Sequence, residues 1–329
     1  MSEADRKDRQ IDIYHRWQQR ANYILRILAG LWIATMVLGC APQPEIRPDA
    51  STDAIQVQAD SAMVRLRMRL ERTLQHKGNP DSLNLAFRYL VRLGELVEPD
   101  QSFHALMTEL CFLRATYTDI AQDSSQNLYQ QGLRSARALL EAVPRLSGYV
   151  QTDTVSIDAL RMEQLRQPTI DALYWWTLHS IFTVAQESPI RRLAWRKRFD
   201  RAIRVLEIRN PDYRNGGVQR LIALVLLISP DGDLNKAQQA FRQAIAMGES
   251  YLENRYFYAR YYGVLLQSKE IFQVQLQSIL EQNTSETAKY AQLNLLVKNK
   301  ARTVLASTDR YFSTFSGSES EESAGVSIE

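Results

Sequence analysis

Apolar residues recur at three- and four-residue intervals through most of this chain. The pattern stops at Gly78-Asn79-Pro80, Pro99-Asp100, Pro144, Ser188-Pro189, Asn210-Pro211 and Ser229-Pro230. A period near 3.6, cut by proline at such intervals, dictates helices of ordinary length and leaves little room for strands. Composition agrees, because 45% of the 329 residues are hydrophobic while 13 glycines and 10 prolines offer little punctuation for many short strands. The length fits one extended or two modest domains. The expected fold class is all-α.

The breaks sort the helices into antiparallel pairs. SFHALMTELCFLRATYTDIA precedes NLYQQGLRSARALLEAV, DALYWWTLHSIFTVA precedes IRRLAWRKRFDRAIRVLEI, and GGVQRLIALVLLI precedes DLNKAQQAFRQAIAM. YLENRYFYARYYGVLL with KEIFQVQLQSILE makes a fourth pair, and a final helix surrounds LNLLVKNKARTVLA. Ala237, Phe241 and Ala244 share one helix face at spacings of four and three, as do Trp195, Phe199 and Ala202. Small residues there admit a close neighbour and the aromatic fills the gap, which resembles the second-helix core of tetratricopeptide (TPR) repeats. The first-helix Trp-Leu-Gly signature is missing and the pairs vary in length, so the expectation is an irregular, α-solenoid-like array of TPR-like pairs.

The N-terminus reads as a leader. Six basic residues, Arg6 to Arg26, face four acidic ones, and the apolar run ILAGLWIATMVLG then ends at Cys40. That run, residues 27–39, matches a secretory h-region and is short for a membrane span of about 20 residues. Val37-Leu38-Gly39-Cys40 resembles the bacterial lipobox, in which the cysteine becomes lipidated and begins the mature chain. Each buried methylene of such an anchor contributes roughly 0.8 kcal/mol, so several chains hold a protein durably where one is marginal. Removing the leader leaves 34 basic and 33 acidic residues, a nearly neutral mature chain. Residue 41 is alanine and not the aspartate that often retains lipoproteins at an inner membrane, which points to the periplasmic face of the outer membrane. The expected organisation is a signal peptide over 1–39, lipidated Cys40 and a tether over 40–60, a helical domain over 61–312, and a disordered acidic tail over 313–329.

Chemistry-bearing constellations are sparse. A formal charge of +3 is small for this length and argues against a nucleic-acid binder. Cys40 and Cys111 are the two cysteines, with no CxxC, so neither disulfides nor a zinc site are expected. The four histidines are dispersed, and His104 and Cys111 sit seven apart on one helix, about 10 Å along its axis, too far for easy shared ligation. GxSxG, HExxH, Walker and strand-borne GxGxxG motifs are missing. No catalytic residue, cofactor or metal is expected, and the chain reads as a binding protein.

Two features remain as candidate surfaces. Arg191, Arg192, Arg196 and Arg198, with Lys197 and Trp195 among them, form the densest basic run, either a solvated helix face or a dock for an acidic protein partner or an anionic ligand. The aromatic clusters are Tyr174-Trp175-Trp176 and Tyr251 to Tyr262; in the second, Tyr251, Tyr258 and Tyr262 are expected on one face with Phe257 and Tyr261 on the neighbouring one, a band that covers more than one helical stripe and serves core packing, a ligand groove, or both. Gly216-Gly217 most simply start the next helix closely packed against its predecessor.

These same stretches resemble the T-component lipoproteins of TRAP (tripartite ATP-independent periplasmic) transporters. The likeness runs through Ala172-Leu173-Tyr174-Trp175-Trp176, Arg201-Ala202, Asn210-Pro211-Asp212-Tyr213 and Asn215-Gly216-Gly217. It continues through Gly232-Asp233, Lys236-Ala237, Phe241, Ala244-Ile245 and Tyr258-Ala259-Arg260-Tyr261-Tyr262, and ends in the helix of Asn294 to Ala301. The resemblance implies an all-helical lipoprotein that oligomerises around a pore or cleft, docks a periplasmic solute-binding protein, and handles an organic acid or a more hydrophobic ligand. On that analogy Tyr174, Trp176, Tyr258, Arg260 and Tyr262 would form the cleft, with Arg260 pairing a carboxylate. A TPR-type scaffold for envelope assembly is the competing reading.

Overall fold

The computed structural model describes residues 50–143, 166–283 and 289–312, with side chains from Ser61 onward. The h-region, Cys40 and the acidic tail lie outside the described residues. Two compact units divide the chain at residues 59 and 60. Of the first, residues 50–59 are described and are helical. They open helix α1 (Ala50–Leu74), which takes up the second half of the expected tether: no proline follows Pro48 until Pro80, and nothing interrupts the run.

Among the described residues every regular element is a helix. The elements are α2 (Pro80–Leu96), α3 (Gln101–Tyr117), α4 (Gln122–Glu141), α5 (Gln167–Val184), α6 (Pro189–Arg209), α7 (Gly217–Ile228), α8 (Leu234–Met247) and α9 (Glu253–Phe257). A π-helical turn (Tyr258–Gly263) extends α9, and α10 (Lys269–Glu281) and α11 (Ala291–Ala306) complete the array. Three of the sequence breaks hold N-caps, Asn210 and Ser229 close helices as C-caps, and Pro144 lies outside the described residues. Asn79, Asp100, Ser188, Asp233 and Ser268 each accept backbone N–H donors from the first turn of the helix that follows, and Pro80 and Pro189 begin α2 and α6 where a missing N–H costs nothing.

All four expected pairs are present, as α3 with α4, α5 with α6, α7 with α8, and the α9 π-turn with α10. Helix α5 is buried on nearly every side and lies at the centre, packed by α3, α4, α6 and α7. Ala237, Phe241 and Ala244 are fully buried, as are Phe199 and Ala202. Trp195 sits at the margin of its helix, stacked on Phe199 with ring centres 5.6 Å apart. Gly217 starts α7, but the close approach at Gly216 is to α8 rather than to the preceding helix: a Cβ there would lie 2.5 Å from the Ala244 carbonyl oxygen.

Helix α11 returns to the start of the array and packs on α3, α9 and α10. Lys300 Nζ meets Asp119 at 2.7 Å, and the Gly78 N–H donates to Gln292 Oε1 at 3.0 Å. Asn294 ties α11 to the loop before α9, accepting from the Leu252 N–H and donating to the Ser250 carbonyl. This closure brings α3, the α6–α7 turn and α11 to one place.

Candidate functional site

A cavity of about 730 Å³ opens where those three elements meet. That volume falls in the range of small-molecule sites, about 300–1,000 Å³. The α6–α7 turn supplies its principal cation. Arg214, Asn215 and Gly216 have φ of 49°, 48° and 87°, three successive left-handed residues. Glycine and asparagine adopt that conformation readily, but for arginine it costs roughly 1–2 kcal/mol. The strain puts the Arg214 side chain against aromatic rings, its guanidinium 4.4 Å from the Trp175 ring centre and 5.7 Å from that of Tyr174.

Across the cavity Lys77 pairs with Glu109 at 2.8 Å. Burial alone would raise the Glu109 carboxyl, but Lys77 and Arg214 hold it below its ordinary value. Helix α11 adds Tyr290 at its start, together with Leu293 and Leu296.

Below the cavity lies a buried charge network. Arg220 on α7 meets Glu253 on α9 at 2.7 Å, with their side chains 0% and 3% exposed. The remaining valences are filled except at Arg220 Nε, which is buried without a hydrogen-bond partner. Tyr117 and Tyr251 donate their hydroxyls to the two Glu253 oxygens at 2.7 and 3.1 Å, and Arg220 donates to Tyr174 Oη at 2.5 Å and to Asn254 Oδ1. Asn254 donates onward to the Asn215 and Ala244 carbonyls, which fastens the α6–α7 turn to the network. Burial pushes the Tyr117 and Tyr174 hydroxyls upward, keeping both as neutral donors or acceptors.

The five residues expected to form a cleft are not brought together. Tyr174 belongs to the buried network, with its hydroxyl on Arg220. Trp176 is buried and faces Trp195 across the α5–α6 contact, ring centres 6.1 Å apart. Tyr258 and Tyr262 do meet, 5.3 Å apart, both against Phe241. Tyr258 accepts from Gln238 and borders a second depression, of about 410 Å³, that Arg242 and Arg255 also line. Arg260 stacks over Tyr311 at 4.6 Å. Tyr251 leaves the face expected for it, because it precedes α9 and its ring stands edge-on to Tyr290.

The basic run occupies α6. Arg191 is exposed beside Glu187 at 3.3 Å, Arg196 pairs with Asp200 and Asp231, and Arg198 lies over Trp195 at 4.7 Å. Arg192 is half-buried beside them. Ile190 and Leu193 are 82% and 48% exposed on the same helix.

The cavity itself escaped the sequence reading. Its signal was faint but present: Arg214 interrupts the Asp212-Tyr213 and Asn215-Gly216-Gly217 stretches, and Arg220 is a lone charge inside the apolar GVQRLIALVLLI. A charge in such a helix is buried only if paired. Cys111 is a free, fully buried thiol, and burial pushes it up to about 12, leaving it unreactive. Among the described residues no three of His, Cys, Asp and Glu gather as a metal site, and no helix is long and apolar enough to cross a membrane.

Fold and cavity together define an all-helical array with a concave, charge-lined chamber. The TRAP transporter T-component family matches residues 114–312, more than half of the chain. The chain belongs to that family, a transport-associated, non-enzymatic component of TRAP systems of the bacterial envelope. No curated protein matches it.

Proposed function

We propose that this chain is a lipid-anchored periplasmic accessory protein of a TRAP-type solute uptake system, in which the helical array docks a solute-binding protein and holds an organic-acid or hydrophobic ligand. The family match from the end of α3 to Phe312 carries the reading. Two further features support it. The lipobox-like Val37-Leu38-Gly39-Cys40 supplies an anchor at the outer membrane, and α6 presents arginines beside exposed Ile190 and Leu193. An apolar centre ringed by charge is the composition of a protein-docking patch. Association of several copies around a pore or cleft belongs to the same proposal.

The test is affinity capture of the native chain from solubilised membranes, with partners identified by mass spectrometry. Recovery of a TRAP solute-binding protein is the expected outcome. Recovery of envelope-assembly proteins alone would favour a scaffold role instead.

A further inference from the structure

We propose that the chamber between α3, the α6–α7 turn and α11 binds an organic monocarboxylate with an apolar body, its carboxylate seated on Arg214. The proposal rests on the reading of the chain as a ligand-handling transport component and gives that reading a site and a ligand class.

Arg214 is the reason for a carboxylate. Its guanidinium is held between aromatic rings, and among the described residues its one hydrogen bond is the long contact from Nε to Tyr213 Oη at 3.4 Å. Among the described residues no carboxylate lies within ion-pair reach of it: Glu109 is engaged by Lys77, and Asp212 forms no ion pair with it. A half-buried guanidinium whose fork is free in a concave site matches a carboxylate, which accepts two parallel N–H donors. The backbone there is in a left-handed conformation that arginine rarely adopts, and such strain concentrates where a side chain must be aimed.

The charge on the ligand follows from the lining. Among the described lining residues Lys77, Arg214 and Lys289 stand against Glu109 and Asp212, one positive charge in excess. A monoanion neutralises the chamber, whereas a dicarboxylate would leave a surplus negative charge in it. Apolar matter on the α11 side, Leu293, Leu296 and the Tyr290 ring, suits a hydrocarbon or aryl body. The concavity favours a small molecule over the side chain of an acidic protein partner, which needs a flatter surface.

Calorimetric titration of the full-length chain tests this with octanoate and benzoate, their neutral amides, and an acidic hexapeptide as probes. One acid molecule should bind per chain, with the amide at least tenfold weaker. R214G should lose at least tenfold in acid affinity and keep its near-ultraviolet circular dichroism, because glycine suits the left-handed backbone. R214K should recover part of the binding. No acid binding by the wild-type chain, equal binding of acid and amide, undiminished binding by R214G, or preference for the peptide each overturns the proposal. Capture of a solute-binding protein is scored separately: failed capture with acid binding intact counts against the accessory role, and intact capture without acid binding counts against this site.

Discussion

Arg220 and Glu253, 33 positions apart in sequence, form an ion pair of 2.7 Å inside the helical array with both side chains withdrawn from water. The pair survives burial because Tyr117, Tyr174, Tyr251 and Asn254 supply hydrogen bonds to both carboxylate oxygens and to both terminal nitrogens of the guanidinium, Nε alone going without. Replacing one member strands the other, which costs about 3–5 kcal/mol, whereas replacing both with apolar side chains removes the uncompensated charge. R220M should therefore be strongly destabilising in urea unfolding, and R220M/E253L should lose less than the two single losses added together by more than about 1 kcal/mol. Strictly additive effects would contradict the network.

Gly132 on α4 faces the His179 ring so closely that a Cβ would lie 2.1 Å from His179 Cε1. The imidazole cannot retreat, being bonded through Nε2 to the Thr108 carbonyl at 2.9 Å and flanked by Phe112 and Tyr129. In an open helix Gly→Ala stabilises by about 1 kcal/mol. Here overpacking reverses the sign, and G132A should lose about 2 kcal/mol. Calorimetric melting gives the sign directly.

The same histidine sets a pH dependence. Burial lowers His179 from 6.5 to about 4. Between those values the unfolded chain binds a proton that the folded chain does not, so stability falls as pH drops from about 6.5 to about 4. The loss is roughly 3 kcal/mol over that window. His104, also lowered by burial, acts in the same direction, and the Glu109 carboxyl adds its own loss only below its ordinary value of 4.5. Urea midpoints at pH 7 and pH 5 should differ in the wild-type chain and differ by clearly less in H179Q, where His104 still contributes. An unchanged slope in H179Q would show that this imidazole is not the source.

Asp233 caps α8 by accepting from the Asn235 and Lys236 N–H groups at 2.9 and 3.1 Å. D233A should cost about 1 kcal/mol and D233N far less. Equal losses would mean that charge near the helix terminus, and not the capping bond, carries the effect.

How far the fold was legible follows from these residues. Asn79, Asp100 and Ser188 are local signals, each acting within three residues, and the helix pairs could be drawn from such breaks and from the apolar period. The chamber depends on relations that no local pattern encodes. Lys77, Arg214 and Tyr290 meet only because α11 folds back onto α3, and Arg214 points inward only because its backbone is left-handed. The tyrosine faces were misjudged for a related reason. Tyr251 precedes α9, so a face drawn with a 3.6 period back from Tyr258 and Tyr262 does not reach it, and its ring lies instead against Arg220 and Tyr290.

Docking of a solute-binding protein is the centre of the proposed function, and its most direct measurement is the equilibrium affinity between this chain and a TRAP solute-binding protein from the same cell. The account predicts a saturable complex that weakens as salt rises and loses at least tenfold in affinity in I190D/R191E. Both side chains are exposed, and the melting temperature of that variant should be nearly unchanged. No saturable binding by the wild-type chain, or affinity untouched by I190D/R191E, would contradict it.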